Sequence, residues 1–206
     1  MSGGPSLPDG LWSRRDDEGA VRALYDGWAE RYDGDMARAG ALGPARTVAM
    51  LARFVPDRDA PILDFGCGTG AAGLELRAAG YEDVAGVDLS EAMLARARGR
   101  GVYRSLALAE PDAAVAIPRG VRGVVAAGSI CVGAAPPPVL RRVAEAMAPG
   151  AVLALTFNDD TLRDGGYLRA LADLQADGTV RLEAAEYGPQ LPALGRGATA
   201  MALRRL

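Results

Sequence analysis

Residues 62–80 combine a short apolar run, a glycine-rich turn and a helical pattern. The run ILDF at 62–65 is followed at once by GCGTG, and the helical pattern at 71–79 ends at Gly80. Glycine at alternate positions lets the backbone turn tightly after a strand, and it lets a ligand approach without meeting a Cβ. This segment therefore predicts a strand–turn–helix unit of a parallel sheet.

The same alternation of strand and helix continues to the C-terminus. Further strands are predicted at 84–87, 102–108, 121–127, 151–157, 179–186 and 198–204, and helical patterns cover 138–148 and 162–175. Residues 151–157 are apolar throughout, which is typical of a strand that is buried on both faces. The alternation predicts an α/β fold with a mainly parallel sheet and helices on both of its faces.

Two helical patterns precede the first predicted strand. Residues 1–13 are rich in Gly, Pro and Ser, and we expect them to be disordered. Residues 14–206 are predicted to form a single domain. Apolar residues recur at helical steps over 18–32 and 44–54, and we interpret residues 18–56 as an N-terminal helical lid.

The first of these helices has three aromatic residues on one face. Tyr25, Trp28 and Tyr32 recur at steps of three or four residues. One interpretation is that this stripe packs into the core. The alternative is that its rings close over a bound cation at the carboxyl ends of the strands, because aromatic faces attract positive charge.

The residue types that the chain lacks exclude several classes of chemistry. There is no His, and all 23 basic residues are Arg, so there is no Lys. This excludes a Ser-His-Asp or Cys-His hydrolase, a lysine Schiff base and a Walker A loop. The two cysteines cannot form a four-ligand zinc site without other ligands, and we expect no metal.

The net charge and the lengths of the apolar runs indicate which partners and which location to expect for the protein. The net charge of −3 argues against a nucleic-acid partner. No apolar run approaches the roughly 20 residues that a membrane-spanning helix needs. The N-terminus has no signal-peptide core, so we expect a cytoplasmic protein.

The glycine turn and the following strand together indicate a nucleoside-binding site. Asp88 ends the strand predicted at 84–87, and adjacent strands of a βαβ unit end side by side. A carboxylate at that place can accept hydrogen bonds from both hydroxyls of a ribose. The unpaired N–H groups of the helix that starts near Gly70 point towards the same ligand. The alternative is that the turn only packs the helix on the strand and Asp88 caps the next helix.

Two cofactors fit this arrangement. Gly68, Gly70 and Gly73 match the dinucleotide fingerprint, and Asp88 lies 20 residues after Gly68. Asp64, beside the turn, would repel a pyrophosphate and attract a cationic amino group, which favours S-adenosylmethionine. An NAD-dependent oxidoreductase would also need a hydride partner such as His or a Tyr-x-x-x-Lys pair, and the chain has neither.

Two motifs resemble those of a known family. LDFGCGTG at 63–70 and GVDLSEAML at 86–94 resemble the first two motifs of class I S-adenosylmethionine-dependent methyltransferases. LYDGWAERYDGDM upstream and VVAAGS and LTFNDD downstream are similar to the methyltransferase-like protein 27 group and its bacterial relatives. The resemblance implies a Rossmann-like three-layer sandwich with a seven-stranded, mostly parallel sheet whose last strand is antiparallel. It also implies methyl transfer from S-adenosylmethionine, with S-adenosylhomocysteine as the product.

The resemblance further implies which residues contact the cofactor. The first motif would hold the amino-acid part, Asp88 the ribose, and Leu89 and Met93 the adenine, with Ala109 and Glu110 next to it. Gly128 and Ser129 would lie below the methyl group, and the aromatic residues of the lid above it. The predicted set is Tyr25, Trp28, Tyr32, Asp64, Gly66, Cys67, Gly68, Gly70, Asp88, Leu89, Met93, Ala109, Glu110, Gly128 and Ser129.

The acceptor is expected to be a small molecule, and the protein a monomer or a weak homodimer. No catalytic residue is predicted, because a sulfonium is already an activated leaving group and the protein mainly has to align the reactants and exclude water. The alternative to an enzyme is a non-catalytic S-adenosylmethionine-binding regulatory module, and no residue in the sequence distinguishes the two.

Overall fold

The carboxyl ends of five parallel strands form one edge of the sheet in this protein. The computed structural model describes residues 7–13 and 17–206. The strands are β1 (Ile62–Phe65), β2 (Val84–Asp88), β3 (Ser105–Leu108), β4 (Gly123–Ala126), β5 (Val152–Asn158), β6 (Val180–Leu191) and β7 (Arg196–Arg205). They form one sheet in the order β3-β2-β1-β4-β5-β7-β6. Strand β7 is antiparallel to both of its neighbours, and β1 to β5 pair in parallel. The predicted seven-stranded sheet with its last strand antiparallel is confirmed.

Helices cover both faces of the sheet. They are α1 (Glu18–Ala39), α2 (Gly43–Phe54), α3 (Ala71–Ala78), α4 (Glu91–Arg98), α5 (Pro138–Ala146), α6 (Asp159–Asp164) and α7 (Gly166–Ala176). Apolar residues of α2 and α3 pack on one face, and those of α5 and α7 pack on the other. Strands β4 and β5, which lie between these layers, are buried along their whole length. The core therefore holds the strand ends in fixed positions.

Some predicted boundaries differ from those observed. The first helix extends to Ala39 because Trp28 Nε1 and Arg38 both bind Asp35 beyond the predicted end at 32, and Gly40 then ends the helix in a left-handed conformation. The helix predicted at 162–175 is two helices, which Gly165 separates with φ of 76°. Glycines in the left-handed conformation thus set boundaries that the apolar pattern did not contain.

The N-terminal prediction lies partly outside the described residues. The stretch predicted to be disordered was 1–13, and residues 1–6 are not described. Leu11–Ser13 form a short 3₁₀ helix, and Leu11 is buried at 4% exposure, so this stretch has a defined turn where the sequence predicts none. Within the described residues, no helix is long and apolar enough to cross a membrane.

Candidate functional site

A cavity of about 410 Å³ lies at the carboxyl ends of β1, β2 and β4. Its floor includes the glycine turn after β1, and its roof is formed by side chains of α1, among them Arg22, Tyr25 and Tyr32. Ligands in α/β sheets bind outside the carboxyl ends of the strands, where the strand order reverses. The order β2-β1-β4 reverses at β1, so the cavity occupies that position.

The glycine turn is tied to the end of β2 by its backbone. The N–H groups of Gly66 and Cys67 donate to the carbonyl of Val87 at 2.8 and 3.0 Å. A Cβ on Gly66 would lie 2.3 Å from the Cβ of Ser129, so only glycine fits there. At Gly68, which has φ of 54°, an added Cβ would meet no atom within 4 Å. Gly68 therefore leaves free space on the wall of the cavity.

Asp88 is fixed by the same turn. Its Oδ2 accepts a hydrogen bond of 2.7 Å from the N–H of Gly68, and its Oδ1 accepts one of 2.9 Å from the N–H of Ser90. Burial raises the pKa of this carboxyl group, and the backbone donors oppose that rise. A carboxylate has about four lone-pair sites, so Asp88 can still accept a hydrogen bond from a ligand hydroxyl in the cavity.

Asp64 lies behind the glycine turn and does not line the cavity. Side chains alternate across a strand, so Leu63 and Phe65 face the cavity and Asp64, between them, faces away. Its Oδ2 accepts a hydrogen bond of 2.7 Å from the hydroxyl of Tyr103, and its Oδ1 has no partner among the described residues. Burial raises the pKa of Asp64 to about 7. The predicted direct contact between Asp64 and a cationic amino group finds no support in this geometry.

The far end of the cavity is lined by the side chains predicted to hold an adenine. Leu89, Met93, Ala109 and Glu110 all line it, and Met93 is fully buried. The carboxylate of Glu110 lies 3.1 Å from the guanidinium of Arg22. Glu110 therefore links the rim of the cavity to α1 through an ion pair.

Four polar side chains of α1 bind residues of other elements and so hold the helix over the cavity. Glu18 pairs with Arg142 of α5, and Arg22 pairs with Glu110. Asp26 accepts hydrogen bonds from the hydroxyl of Ser90 and the N–H of Ala92, and Asp33 accepts them from Thr69 and Arg100. We call these four residues of α1, Glu18, Arg22, Asp26 and Asp33, the latch residues. None of the four is among the residues predicted from the sequence, although their spacing of four, four and seven residues places them along one side of the helix.

A second cavity of about 320 Å³ adjoins the first. Tyr25, Tyr32, Ala127 and Gly128 line both cavities, so the two tyrosines form the wall between them. The Tyr25 hydroxyl donates to the carbonyl of Gly133 at 3.1 Å, which holds its ring in place. These two rings therefore lie at the boundary of both cavities.

The structure brings most of the predicted site residues together. Those that line the first cavity are Tyr25, Tyr32, Gly66, Gly68, Asp88, Leu89, Met93, Ala109, Glu110, Gly128 and Ser129. Trp28 lines the second cavity, where its indole is 2% exposed and donates to Asp35. Asp64, Cys67 and Gly70 line neither cavity. These three hold the turn in place from behind.

Comparison with known proteins gives a match over the middle of the chain. Residues 62–150 match the family model described as a methyltransferase domain. Over 87 residues the chain is 41% identical to methyltransferase-like protein 27 of Homo sapiens. That match covers 41% of this chain and 36% of the human protein, so it spans about a third of that relative.

Solved structures share the fold over nearly the whole chain. A 1,6-didemethyltoxoflavin-N1-methyltransferase from Burkholderia thailandensis, with 1,6-didemethyltoxoflavin and S-adenosylhomocysteine bound, has a TM-score of 0.64 at 17% identity and covers 97% of this chain and 92% of its own. A TehB-like S-adenosylmethionine-dependent methyltransferase from Corynebacterium glutamicum has a TM-score of 0.59 at 20% identity and covers 89% and 99%. At these identities, the likeness establishes a common fold.

Proposed function

We propose that this chain, whose residues 62–150 match the methyltransferase domain family, is a class I S-adenosylmethionine-dependent methyltransferase that acts on a small molecule. The observation that carries the proposal is the first cavity, in which the open space at Gly68, the acceptor Asp88 and the ring of Tyr25 surround one ligand position. The human relative and the bacterial structures named above support it.

The residues of the cavity fit S-adenosylmethionine. Asp88 would hold the ribose hydroxyls, Met93 and Leu89 would pack against the adenine, and the backbone at Gly68 would face the amino-acid part. Tyr25 and Tyr32 would lie near the sulfonium, which their ring faces attract. When bound, S-adenosylmethionine supplies the methyl group: a lone pair of the acceptor bonds to the methyl carbon, and the carbon–sulfur bond breaks with its electrons left on sulfur.

The chain's own residues position the reactants and exclude water. Helix α1 covers the cavity, and its latch residues hold it against α4 and α5. Burial raises the pKa of Cys131 to about 12 and raises that of Tyr25 well above its usual value, so both groups stay protonated at neutral pH. Neither can therefore remove a proton from the acceptor, and the carboxylates that line the two cavities are the remaining side chains that could accept one.

A labelling experiment tests this function. The protein is incubated with methyl-labelled S-adenosylmethionine and a metabolite extract, and transfer of the label to a small molecule is followed after separation. We expect transfer with the wild type and none with Gly68→Val. Binding of S-adenosylhomocysteine without any transfer of label would instead favour the non-catalytic regulatory module.

A further inference from the structure

The second cavity is lined mainly by apolar and aromatic side chains. Trp12, Trp28, Met36, Leu191 and Pro44 contribute to it, together with the two tyrosines that separate it from the first cavity. Its size falls in the range of about 300–1,000 Å³ that is typical of small-molecule sites. The ring of Trp12 and the aromatic face of α1 favour a flat aromatic ligand, because stacked and edge-to-face rings attract one another.

The charged groups around this cavity disfavour an anion. Asp33 and Arg100 line it but pair with each other, so their charges offset. Glu75 also lines it and lies on the exposed side of α3. The remaining charge at this rim is therefore negative, and an uncharged ligand avoids both repulsion and the cost of burying an unpaired charge.

One polar group of this cavity has no partner. The Oε1 of Gln190 is buried and accepts no hydrogen bond from the described residues. Gln190 lies at a register shift in β6, where Pro189 pairs with Gly197 and Leu191 pairs with Arg196, so Gln190 has no opposite residue. Such bulges redirect a side chain and often lie next to binding sites. Its backbone carbonyl accepts a hydrogen bond of 2.9 Å from Leu42, which fixes the bulge.

We propose that the second cavity binds a planar, uncharged aromatic molecule as the methyl acceptor, and that Gln190 selects one that carries an N–H or O–H donor. The proposal rests on the proposed function, since the acceptor must meet the methyl group where the two cavities adjoin, beside the shared lining residues Ala127 and Gly128. An acceptor on that side would face a sulfonium in the first cavity. The unpaired Oε1 of Gln190 would gain its missing hydrogen bond from the acceptor.

Calorimetric titration with three naphthalene derivatives tests the chemistry of the cavity. The probes are 1-naphthol, 1-methoxynaphthalene and 1-naphthoate, each added to protein saturated with S-adenosylhomocysteine so that the first cavity is filled. We expect 1-naphthol to bind more tightly than 1-methoxynaphthalene, and 1-naphthoate to bind least. Binding of 1-naphthoate as tight as that of 1-naphthol would overturn the assignment.

Matched variants locate the binding. Ala41→Phe places a ring in the second cavity, whereas Ala78→Phe makes the same change on the exposed side of α3, outside both cavities. We expect Ala41→Phe to weaken 1-naphthol binding about tenfold or more, and Ala78→Phe to leave it unchanged. Neither variant should alter the affinity for S-adenosylhomocysteine. Unchanged 1-naphthol binding in Ala41→Phe would overturn the assignment to this cavity.

Gln190→Leu tests the selecting residue. We expect it to weaken 1-naphthol binding about two- to tenfold, as the loss of one hydrogen bond does, and to leave 1-methoxynaphthalene unaffected. Equal losses for both probes would contradict the role of Gln190. If S-adenosylhomocysteine does not bind the wild type, the proposed function fails, and the probes are then titrated into the free protein, where they test the cavity separately.

Discussion

The floor and the roof of the first cavity are held in place by different interactions. The floor rests on buried strands, and backbone hydrogen bonds join the glycine turn to β2. The roof, α1, is attached by the latch residues, and their exposure differs: the side chains of Arg100 and Asp33 are 34% and 37% exposed, whereas that of Glu18 is 8% exposed. Exposed pairs each contribute only about 0–1 kcal/mol, so we expect the roof to open more readily than the floor.

Trp28 anchors the middle of α1 in the protein interior. Trp28 is 2% exposed and donates a hydrogen bond of 2.8 Å to the buried Asp35. Within the aromatic stripe, Trp28 packs inside and borders the second cavity, while Tyr25 and Tyr32 line both cavities; closure of these rings over a cation stays a prediction. We therefore expect substitutions in the floor of the cavity to alter ligand affinity. Substitutions of the latch residues should instead alter how often α1 opens.

The largest effect is expected at the glycine turn. Gly68→Val should weaken S-adenosylhomocysteine binding by about 100-fold or more, because the valine side chain would fill free space in the cavity that the ligand needs. Gly178→Val is the matched control: Gly178 also has positive φ and free space around its Cβ position, but it lies outside both cavities. Both variants carry similar backbone strain, so calorimetry should find the affinity loss only in Gly68→Val. Equal affinity in the two would show that the turn serves packing alone.

A smaller loss is expected at Asp88. Asp88→Ala removes an acceptor for the ribose hydroxyls, and loss of a charged hydrogen bond costs about 1.5–3 kcal/mol, or about 10- to 150-fold in affinity. Asp83→Ala removes a carboxylate just before the opposite end of β2, where it pairs with Arg104. That control should bind S-adenosylhomocysteine as the wild type does. An unchanged affinity in Asp88→Ala would remove Asp88 from the site.

Asp64 lies outside the cavity, and we expect it to affect the stability of the fold and not the affinity for the ligand. Its pKa is raised to about 7 in the folded protein, so the folded state binds more protons than the unfolded state between about pH 4 and 7. The contribution of this carboxyl group to stability is thus full at low pH and is lost as the pH rises through 7. Asp64→Asn cannot ionise, so denaturant unfolding should show the wild type losing about 1 kcal/mol or more relative to it between pH 5 and 8. If the free energies of unfolding of the two proteins change with pH in the same way, the raised pKa of Asp64 is contradicted.

The smallest effect is expected at the latches. Asp26→Asn weakens the contacts to Ser90 and Ala92, and Glu30→Gln changes an exposed residue of the same helix as a control. Amides of residues 20–35 should exchange with solvent a few-fold faster in Asp26→Asn, since one exposed contact contributes about 0–1 kcal/mol. S-adenosylhomocysteine should slow exchange in the wild type. Equal protection with and without this ligand would show that α1 is part of the core and not a lid.

The parts of the site that follow from local sequence could be predicted. The strand and turn at 62–70 and the acid at Asp88 lie where the motif places them, and the resemblance stated from these motifs is confirmed. Asp64 adjoins the turn in sequence, but the period of two along β1 turns it to the face opposite Leu63 and Phe65, and it does not line the cavity. This alternation can be predicted from the sequence. It decides which face a side chain takes, even for a residue that adjoins the turn.

Other features depend on contacts that are distant in sequence. The partners of the latch residues, such as Arg142 for Glu18, lie up to 124 positions away, and no local pattern indicates them. The second cavity brings together Trp12, Trp28, Cys131 and Gln190 from four segments of the chain. Their meeting follows from the order of strands in the sheet, which a periodic pattern alone does not contain.

The identity of the cofactor is the central claim, and with Asp64 outside the cavity it rests on the shape and lining of the first cavity. Titration calorimetry of the wild type with S-adenosylhomocysteine and, separately, with NAD tests it most directly. We expect saturable binding of S-adenosylhomocysteine at one site per chain and no measurable heat from NAD. Saturable binding of NAD with none of S-adenosylhomocysteine would contradict it.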